Sequence, residues 1–180
     1  MRIYLKGLRI YATIPRIKDA NKLAKNDTET NKELGIDVAL DKISAEEFIK
    51  TAIVNFNNMK EFHFGIYTKN HKFIGLFSII QPNYSKRICE IGYWIAKKYR
   101  EKKYGEDAIK IITDFAFKTL KMKKIFAFVN TNNKASIRLL KSAQFKKTHT
   151  SLKSATAFEK TGTHISTYVL HLAIYSDTKV

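Results

Sequence analysis

The most informative stretch of the sequence is Cys89-Glu90-Ile91-Gly92-Tyr93-Trp94-Ile95-Ala96-Lys97-Lys98-Tyr99-Arg100-Glu101-Lys102-Lys103-Tyr104-Gly105-Glu106-Asp107-Ala108. Its first half alternates, with Cys89, Ile91, Tyr93 and Ile95 on one side, which predicts a β-strand. From Ala108 the apolar residues recur with a helical period, which predicts an amphipathic helix. Between strand and helix lie five cations in seven residues: Lys97, Lys98, Arg100, Lys102 and Lys103. A basic loop that leads into the unpaired N–H groups of a helix start favours binding of an anion such as phosphate.

This loop resembles the acetyl-CoA-binding motif of the GNAT N-acetyltransferases, which usually reads Arg or Gln, two residues, Gly, one residue, then Gly or Ala. The matching residues are Arg100-Glu101-Lys102-Lys103-Tyr104-Gly105. Gly105 agrees with the motif, whereas Lys103 stands where the family usually has its first glycine. A lysine there brings positive charge in place of a close backbone approach. A solvated basic loop before an ordinary amphipathic helix gives the same pattern, so that interpretation stays open.

A second segment resembles the second GNAT motif, Asn-x-x-Ser followed later by Gly-Phe. It is Asn133-Lys134-Ala135-Ser136-Ile137-Arg138-Leu139-Leu140-Lys141-Ser142-Ala143-Gln144-Phe145. Gln144 replaces the glycine, and Leu140 stands where the family's usual general acid, a tyrosine, is found. Asn133 and Ser136 also fit an ordinary helix-capping role. With both motifs in order, the chain resembles the GNAT family, and its pattern is closest to the branch of ribosomal-protein N-terminal acetyltransferases.

The resemblance implies an α+β fold, with one GNAT-like domain over residues 1–180. Its central sheet is expected to be mixed and mostly antiparallel, with one parallel, splayed strand pair and about four flanking helices. The residue pattern predicts strands at 2–13, 61–68, 72–81, 88–96, 125–129, 145–152 and 164–175. It predicts helices at about 17–24, after the capping box Ser44-Ala45-Glu46-Glu47, after the basic loop, and at about 134–143.

The resemblance also assigns cofactor-binding positions. In this family the pantetheine arm enters the gap between the splayed strands and pairs with the first strand's backbone, while the pyrophosphate rests on the loop. The implied cofactor-binding residues are Trp94, Ile95, Ala96, Arg100, Glu101, Lys102, Lys103, Tyr104, Gly105, Asn133 and Ser136.

Acetyl transfer to an amine needs an acceptor for the amine proton and a donor for the developing oxyanion. Glu90 is the candidate catalytic base, because it lies mid-strand on the same face as Gly92, whose missing side chain leaves space beside the carboxylate. Many GNAT enzymes have a glutamate at this position that acts through water. The alternative is that Glu90 pairs with a lysine or arginine across the sheet. By the same resemblance, a backbone N–H near Ile95 is the oxyanion donor.

The composition suits one globular domain, since the chain has 180 residues, 44% of them hydrophobic. The net charge is +17 and the pI about 9.9. Because the lysines are spread along the whole length, this charge predicts a diffuse field that attracts an anionic cofactor, and a nucleic-acid partner is not needed to explain it. The lone Cys89 excludes an internal disulfide and a multi-cysteine zinc site. The histidines lack ligand spacing, so no metal is predicted.

The N-terminus has no signal-like apolar run and no segment is long enough to span a membrane, which predicts a soluble, cytoplasmic protein without a membrane partner. The expected partners are acetyl-CoA and an amine acceptor: a protein N-terminal α-amine, or a small amine such as a polyamine or antibiotic. A homodimer is left open. Two other functions stay open as well: a GNAT-fold module that binds acyl-CoA without catalysis, motivated by Lys103 and Leu140, and a basic protein associated with nucleic acid, motivated by charge alone.

Overall fold

The computed structural model describes residues 3–25, 41–148 and 165–172. The strands are β1 Tyr4–Lys6, β2 Ile10–Thr13, β3 Phe62–Thr68, β4 Phe73–Asn83, β5 Ile88–Ile95, β6 Lys124–Asn130, β7 Lys146–Thr148 and β8 Ile165–His171. The α-helices are α1 Ala20–Ala24, α2 Lys42–Asn57, α3 Tyr104–Asp114 and α4 Lys134–Ser142. Short 3-10 turns lie at Ile17–Asp19 and Lys97–Tyr99, and a π-helical turn at Phe115–Thr119 follows α3.

The strands form one sheet in the order β1-β2-β3-β4-β5-β6-β8-β7, in which β5 and β6 are parallel and the other neighbours antiparallel. The parallel pairing runs only from Ile88–Lys124 to Ile91–Ala127. Beyond it, β5 stays paired with β4 as far as Ile95, and β6 with β8 as far as Asn130. We call this divergence of β5 and β6 after Ile91 and Ala127 the fork. The predicted fold class, including its one parallel strand pair, is confirmed.

Each face of the sheet buries its own cluster of apolar side chains. One face packs against α3 and α4, and its cluster includes Cys89, Ile91, Ile112, Leu140 and Phe145. The opposite face packs against α1 and α2, and its cluster includes Tyr11, Leu23, Ile49, Tyr67 and Phe73, with Trp94 packed beside it. The predicted alternation along β5 is confirmed, because Cys89 and Ile91 lie on the first face and Trp94 on the second.

Two buried aspartates tie helices to the sheet. Asp19, only 2% exposed, accepts from the Tyr67 hydroxyl at 2.7 Å and from Arg16 Nε at 2.9 Å, which holds α1 against β3. Burial raises the pKa of Tyr67, so its phenol keeps the proton that it donates. In the first turn of α3, Asp107 accepts from Arg9 through the backbone N–H at 2.6 Å and the guanidinium at 2.9 Å. These bonds fix the start of α3 next to the first hairpin.

Two element boundaries predicted from the sequence are wrong. The predicted strand at 2–13 is two strands, because the chain turns between β1 and β2 with a Gly7 N–H to Ile10 carbonyl bond of 3.0 Å. The helix α2 begins earlier than the predicted capping box, since Asp41 is its N-cap and accepts from the Ser44 N–H at 2.7 Å. An aspartate three residues before Ser44 offers an equally good cap, and the local pattern does not separate the two.

The remaining strand predictions differ at their ends. The strand β4 continues through Pro82 to Asn83, two residues beyond the predicted end at 81. The predicted final strand pair is confirmed as β7 and β8, paired antiparallel from Lys146–Val169 to Thr148–Thr167. Residues 149–164 and 173–180, into which that prediction extends, lie outside the described residues.

Gln144 occupies a left-handed position at the end of α4, with φ of 64°. The Gln144 N–H donates to the Lys141 carbonyl at 2.9 Å, and the Phe145 N–H donates to the Leu140 carbonyl at 3.0 Å. This pair of bonds is a Schellman C-cap, with the buried Phe145 and Leu140 as its hydrophobic contact. The glycine that the GNAT motif usually has at this position is therefore explained by backbone conformation, and the glutamine adopts that conformation at a steric cost.

Candidate active site

Glu90 lies on β5, two residues before the fork widens, and is only 6% exposed. The residues directly opposite it are Ile80 on β4 and Phe126 on β6. The sheet register therefore does not place a lysine or arginine directly across from Glu90. A buried carboxylate is costly unless it has a structural or chemical role.

Gly92 is the first residue of β5 beyond the paired part of β5 and β6. Among the residues that the structure describes, a Cβ atom added there would meet one neighbour within 4 Å, Ile80 Cδ1 at 3.6 Å, which is ordinary contact. The described residues therefore leave space next to Gly92, on the face that also carries Glu90 and, directly across on β4, Ser78.

The end of β5 presents backbone groups to the fork. Ala96 N–H donates to the Ile74 carbonyl at 2.9 Å, so alternation directs the N–H and C=O of Ile95 away from β4 and toward the fork. Arg100 Nε donates to the Ile95 carbonyl at 2.9 Å, which holds the basic loop close to this strand end. The Trp94 side chain lies on the other face, with its ring 5.9 Å from Phe73 in an edge-on contact.

The basic loop is tightly turned between β5 and α3. Glu101 and Lys103 are both left-handed, with φ of 61° and 60°, and Lys103 is the N-cap of α3. The ammonium groups of Lys98 and Lys102 lie 5.3 and 5.9 Å from the centre of the Tyr99 ring. The family's first motif glycine is thus explained by the left-handed backbone at Lys103, and the loop gathers positive charge at the α3 N-terminus.

Gly105 and Tyr104 have structural roles that the motif alone does not reveal. A Cβ atom on Gly105 would lie 2.8 Å from Leu139 Cδ2, so the glycine allows α3 and α4 to approach closely. The Tyr104 ring is partly buried against the main core. Packing of the two helices is thus a sufficient reason for glycine at 105, independent of any phosphate.

Asn133 and Ser136 are brought next to β5 by the start of α4. Asn133 Oδ1 accepts from the Ser136 N–H at 2.9 Å, which confirms the capping role. The Ser136 hydroxyl is also 2.7 Å from the Tyr93 hydroxyl, a contact that connects α4 with β5. Burial raises the pKa of Tyr93 to about 12, so the phenol stays neutral at ordinary pH. No local sequence pattern pairs Tyr93 with Ser136, so this contact was not predicted.

A hydrogen-bonded chain that the sequence did not reveal lies on the α1 and α2 face of the sheet. His63 Nδ1 is 2.7 Å from Ser78 Oγ, and His63 Nε2 is 3.1 Å from Glu61 Oε2. Asn55 Nδ2 donates to the same Glu61 oxygen at 3.2 Å. His63 and Ser78 are paired in register, and so are Ser78 and Gly92, so the chain ends at the fork. Alternation along β3 places His63 on this face, but the register of the partner strand is needed to find Ser78.

Other features of the described residues lie apart from the fork. Cys89 is buried, and desolvation raises the pKa of its thiol to about 12, so a nucleophilic thiolate is not formed. A cavity of about 540 Å³ separates β1 from α3 and its π-turn, and it shares no lining residue with the fork.

Within residues 3–25, 41–148 and 165–172, no group of three potential metal ligands occurs. In the same ranges, every helix is too short or too polar to cross a bilayer.

Comparison with known proteins identifies the family. Residues 9–146 match the Acetyltransferase (GNAT) domain family, which is more than half of the chain. The chain belongs to the GNAT acetyltransferase family. The resemblance inferred from the two motifs is thereby confirmed.

Relatives of this GNAT protein include the probable N-acetyltransferase YjcK of Bacillus subtilis, which is 36% identical over 92 residues. That alignment spans 49% of this chain and about half (50%) of YjcK. A similar solved structure is the microcin C7 self immunity acetyltransferase MccE in complex with acetyl-CoA and AMP, with a TM-score of 0.79, 18% identity and coverage of 92% and 93% of the two chains. Another is RimJ of Mycobacterium smegmatis in complex with CoA-disulfide, with a TM-score of 0.78, 16% identity and coverage of 96% and 88%. At these identities the two structures confirm the fold.

Proposed function

We propose that this GNAT protein is an N-acetyltransferase that moves the acetyl group of acetyl-CoA to a primary amine, with the reaction at the fork. The observation that carries the proposal is the fork itself, where a buried carboxylate, an open space beside Gly92 and the outward backbone of Ile95 meet. Family membership and a relative named as an N-acetyltransferase support it. Bound acetyl-CoA supplies the activated thioester carbonyl.

The residues around the fork fit such a cofactor. The Ile95 carbonyl, which accepts from Arg100 Nε at 2.9 Å, has a second lone pair for an amide of the cofactor arm, and this leaves the Ile95 N–H for the acetyl oxygen. The loop residues Arg100, Lys102 and Lys103 offer positive charge for a diphosphate, and the first turn of α3 offers its backbone N–H groups. We assign cofactor contacts to these residues and to Trp94, Ala96, Glu101, Tyr104, Gly105, Asn133 and Ser136 as proposals.

The chain's own residues have separate tasks in this scheme. Glu90 removes a proton from the attacking nitrogen, since its carboxylate lies on the face with the open space at Gly92. The Ile95 N–H donates toward the oxygen on which negative charge develops. Leu140, which stands where the family usually has a tyrosine, is 1% exposed and part of the core, so we assign no general acid there.

The acceptor class is a primary amine: a protein N-terminal α-amine, or a small amine such as a polyamine or an antibiotic. The test is release of free thiol from acetyl-CoA with four acceptors in turn: a peptide with a free α-amine, lysine, spermidine and an aminoglycoside. The proposal expects amine-dependent release with at least one of them. Acetyl-CoA binding without release for any amine would instead support a non-catalytic acyl-CoA-binding module, which the vacant tyrosine position favours.

A variant at the proposed base separates an enzyme from such a module. Glu90→Gln keeps the size of the side chain and removes its ability to accept a proton, so turnover is expected to fall roughly 10²-fold or more with unchanged acetyl-CoA affinity. The loss should persist at every pH, because the attacking nitrogen must still give up a proton after it has bonded to carbon. Thermal denaturation is the control for folding. Normal turnover of folded Glu90→Gln would remove Glu90 from the mechanism.

A further inference from the structure

The hydrogen bonds that join Glu61, His63 and Ser78 are largely buried, and buried polar groups of this kind usually have a structural or chemical role. His63 is 9% and Ser78 7% exposed, and both ring nitrogens of His63 are hydrogen-bonded, at 2.7 and 3.1 Å. The Glu61 side chain, at the other end, is 30% exposed. The chain therefore connects a solvent-accessible carboxylate with a hydroxyl inside the sheet.

The direction of these hydrogen bonds follows from the chemistry of the groups. An ionised carboxylate only accepts, so His63 Nε2 carries the hydrogen that is donated to Glu61. The neutral ring then has its lone pair on Nδ1, which accepts from the Ser78 hydroxyl. Ser78 Oγ keeps its own lone pairs free of this bond, so it can accept a further hydrogen. Asn55 Nδ2 donates to Glu61 as well and orients the carboxylate.

Ser78, the inner end of this hydrogen-bonded series, lies at the reaction site proposed above. Ser78 is the register partner of Gly92, and cross-strand partners point to the same face of a sheet, about 4.5–5.5 Å apart at Cβ. The same face carries Glu90, two residues along β5 from Gly92. An amine in the open space beside Gly92 would thus have the Ser78 hydroxyl on one side and the Glu90 carboxylate on the other.

An alkylamine has two protons to lose at such a site. At neutral pH it arrives as an ammonium ion, which must lose one proton before its nitrogen has a lone pair for attack. The nitrogen must lose a second proton after it bonds to the acetyl carbon. A single carboxylate that has taken the first proton is neutral and cannot accept the second. Loss of both protons therefore needs two separate proton acceptors.

We propose that the Ser78–His63–Glu61 chain takes the first proton, from the ammonium ion, and leaves Glu90 as the base for the second. The inference rests on the proposed function. An N–H proton passes to Ser78 Oγ while the Ser78 hydroxyl proton passes to His63 Nδ1. The N–H electron pair stays on nitrogen as the attacking lone pair, and the imidazolium that results lies beside the Glu61 carboxylate. After the product leaves, this proton returns to solvent. Ser78 contacts the substrate, whereas His63 and Glu61 act through it as positioning residues.

The environment of the His63 ring is defined on each side. The residue just before β3 contributes the Glu61 carboxylate, β4 the Ser78 hydroxyl, and α2 the uncharged Phe48 ring, edge-on at 5.0 Å. Among the described residues, Glu61 is therefore the charged partner of this ring, on the side away from Ser78.

The test compares His63→Asn and Ser78→Ala with wild type, using kcat/KM as a function of pH for a primary alkylamine that the wild type acetylates. At neutral pH each variant is expected to lose roughly 10²-fold, with the deficit narrowing as pH rises, because the free amine then needs no deprotonation. An arylamine acceptor, uncharged at neutral pH, should show little loss in either variant. Ser78→Thr keeps the hydroxyl and should retain most activity. Nitrogen NMR of the His63 ring should show hydrogen on Nε2.

The outcomes separate the inference from the function on which it rests. A deficit that is equal at all pH values and equal for both amine classes would overturn the relay and leave the acetyltransferase standing. Hydrogen on Nδ1 in the NMR spectrum would also overturn it. No thiol release by wild type with any amine would overturn both proposals. Melting temperatures control for folding, and Ser78→Ala carries the test if His63→Asn does not fold.

Discussion

The Cys89 thiol shows how burial couples one side chain to the stability of the whole chain. In the folded state desolvation raises its pKa to about 12, from an ordinary value of 9.0, and the adjacent Glu90 carboxylate adds to the shift. Between these two values the unfolded chain has lost the thiol proton while the folded chain keeps it. The unfolded state then binds fewer protons, so the free energy of unfolding falls as pH rises.

Alkaline denaturation tests this coupling. Below about pH 9 the thiol should contribute no pH dependence, and above it the free energy of unfolding should fall by up to about 1.4 kcal/mol per pH unit from this group. Cys89→Ala should show a shallower decline over the same range when the two proteins are compared by urea denaturation. Parallel declines in wild type and Cys89→Ala would show that the thiol does not remain protonated in the folded protein.

Two of the departures from the GNAT motifs replace a glycine, and the structure explains both. Lys103 and Gln144 stand at positions where the family usually has glycine, and both have φ near 60°. The motif glycine at each position is therefore explained by the left-handed backbone. At position 103 a glycine would also allow the backbone to approach a ligand closely. A sequence shows that the glycine is missing, but only the backbone shows that the conformation has been kept.

The loop that joins β5 to α3 combines this strained backbone with its positive charge, and the two can be separated by paired variants. Lys103→Ala removes the charge and keeps a Cβ at φ of 60°, whereas Lys103→Gly removes the charge and the strain. The unfolding free energy of Lys103→Gly should exceed that of Lys103→Ala by about 1 kcal/mol.

Calorimetry on the same pair measures what the backbone contributes to acetyl-CoA binding. Both variants lose one cation, so both should bind acetyl-CoA more weakly than wild type at low salt. This loss of affinity should be smaller at high salt, where charges are screened. Lys103→Gly should bind more tightly than Lys103→Ala, because its backbone allows a phosphate to approach. Equal stability and equal affinity of the two variants would contradict the assignment of Lys103 to a left-handed N-cap.

The elements that the sequence predicted best are those with strong periodicity. The alternation of β5 and the helical period of α3 follow from which side chains must be buried, and the structure confirms them. The site was predictable in outline for the same reason, since Glu90 and Gly92 share a face of one strand. Ser78 and His63 were not, because they reach the fork through strand register, which depends on contacts between residues far apart in sequence.

Across the whole molecule, the fork depends on the two layers that cover the sheet. The layer formed by α3 and α4 is fixed by the Arg9–Asp107 bonds, the close approach at Gly105 and the Tyr93–Ser136 contact. These contacts place the basic loop and the start of α4 on either side of the end of β5. The layer formed by α1 and α2 covers the other face, where Glu90, Gly92 and the Ser78–His63 pair lie. The fold thus presents the proposed cofactor elements and the proposed amine site at one divergence of two strands.

Turnover of Gly92 variants, measured as free-thiol release per folded molecule, tests most directly whether chemistry takes place at this fork. A Cβ at Gly92 meets no atom of the described residues closer than 3.6 Å, so Gly92→Ala should fold with a melting temperature close to wild type. Valine is favoured in strands, and the melting temperature of Gly92→Val is the control for its two further methyl groups. If the acceptor amine occupies the space beside Gly92, turnover should fall in steps with side-chain size, by roughly 10²-fold or more for valine. Wild-type turnover by a stably folded Gly92→Val protein would contradict a reaction at the fork.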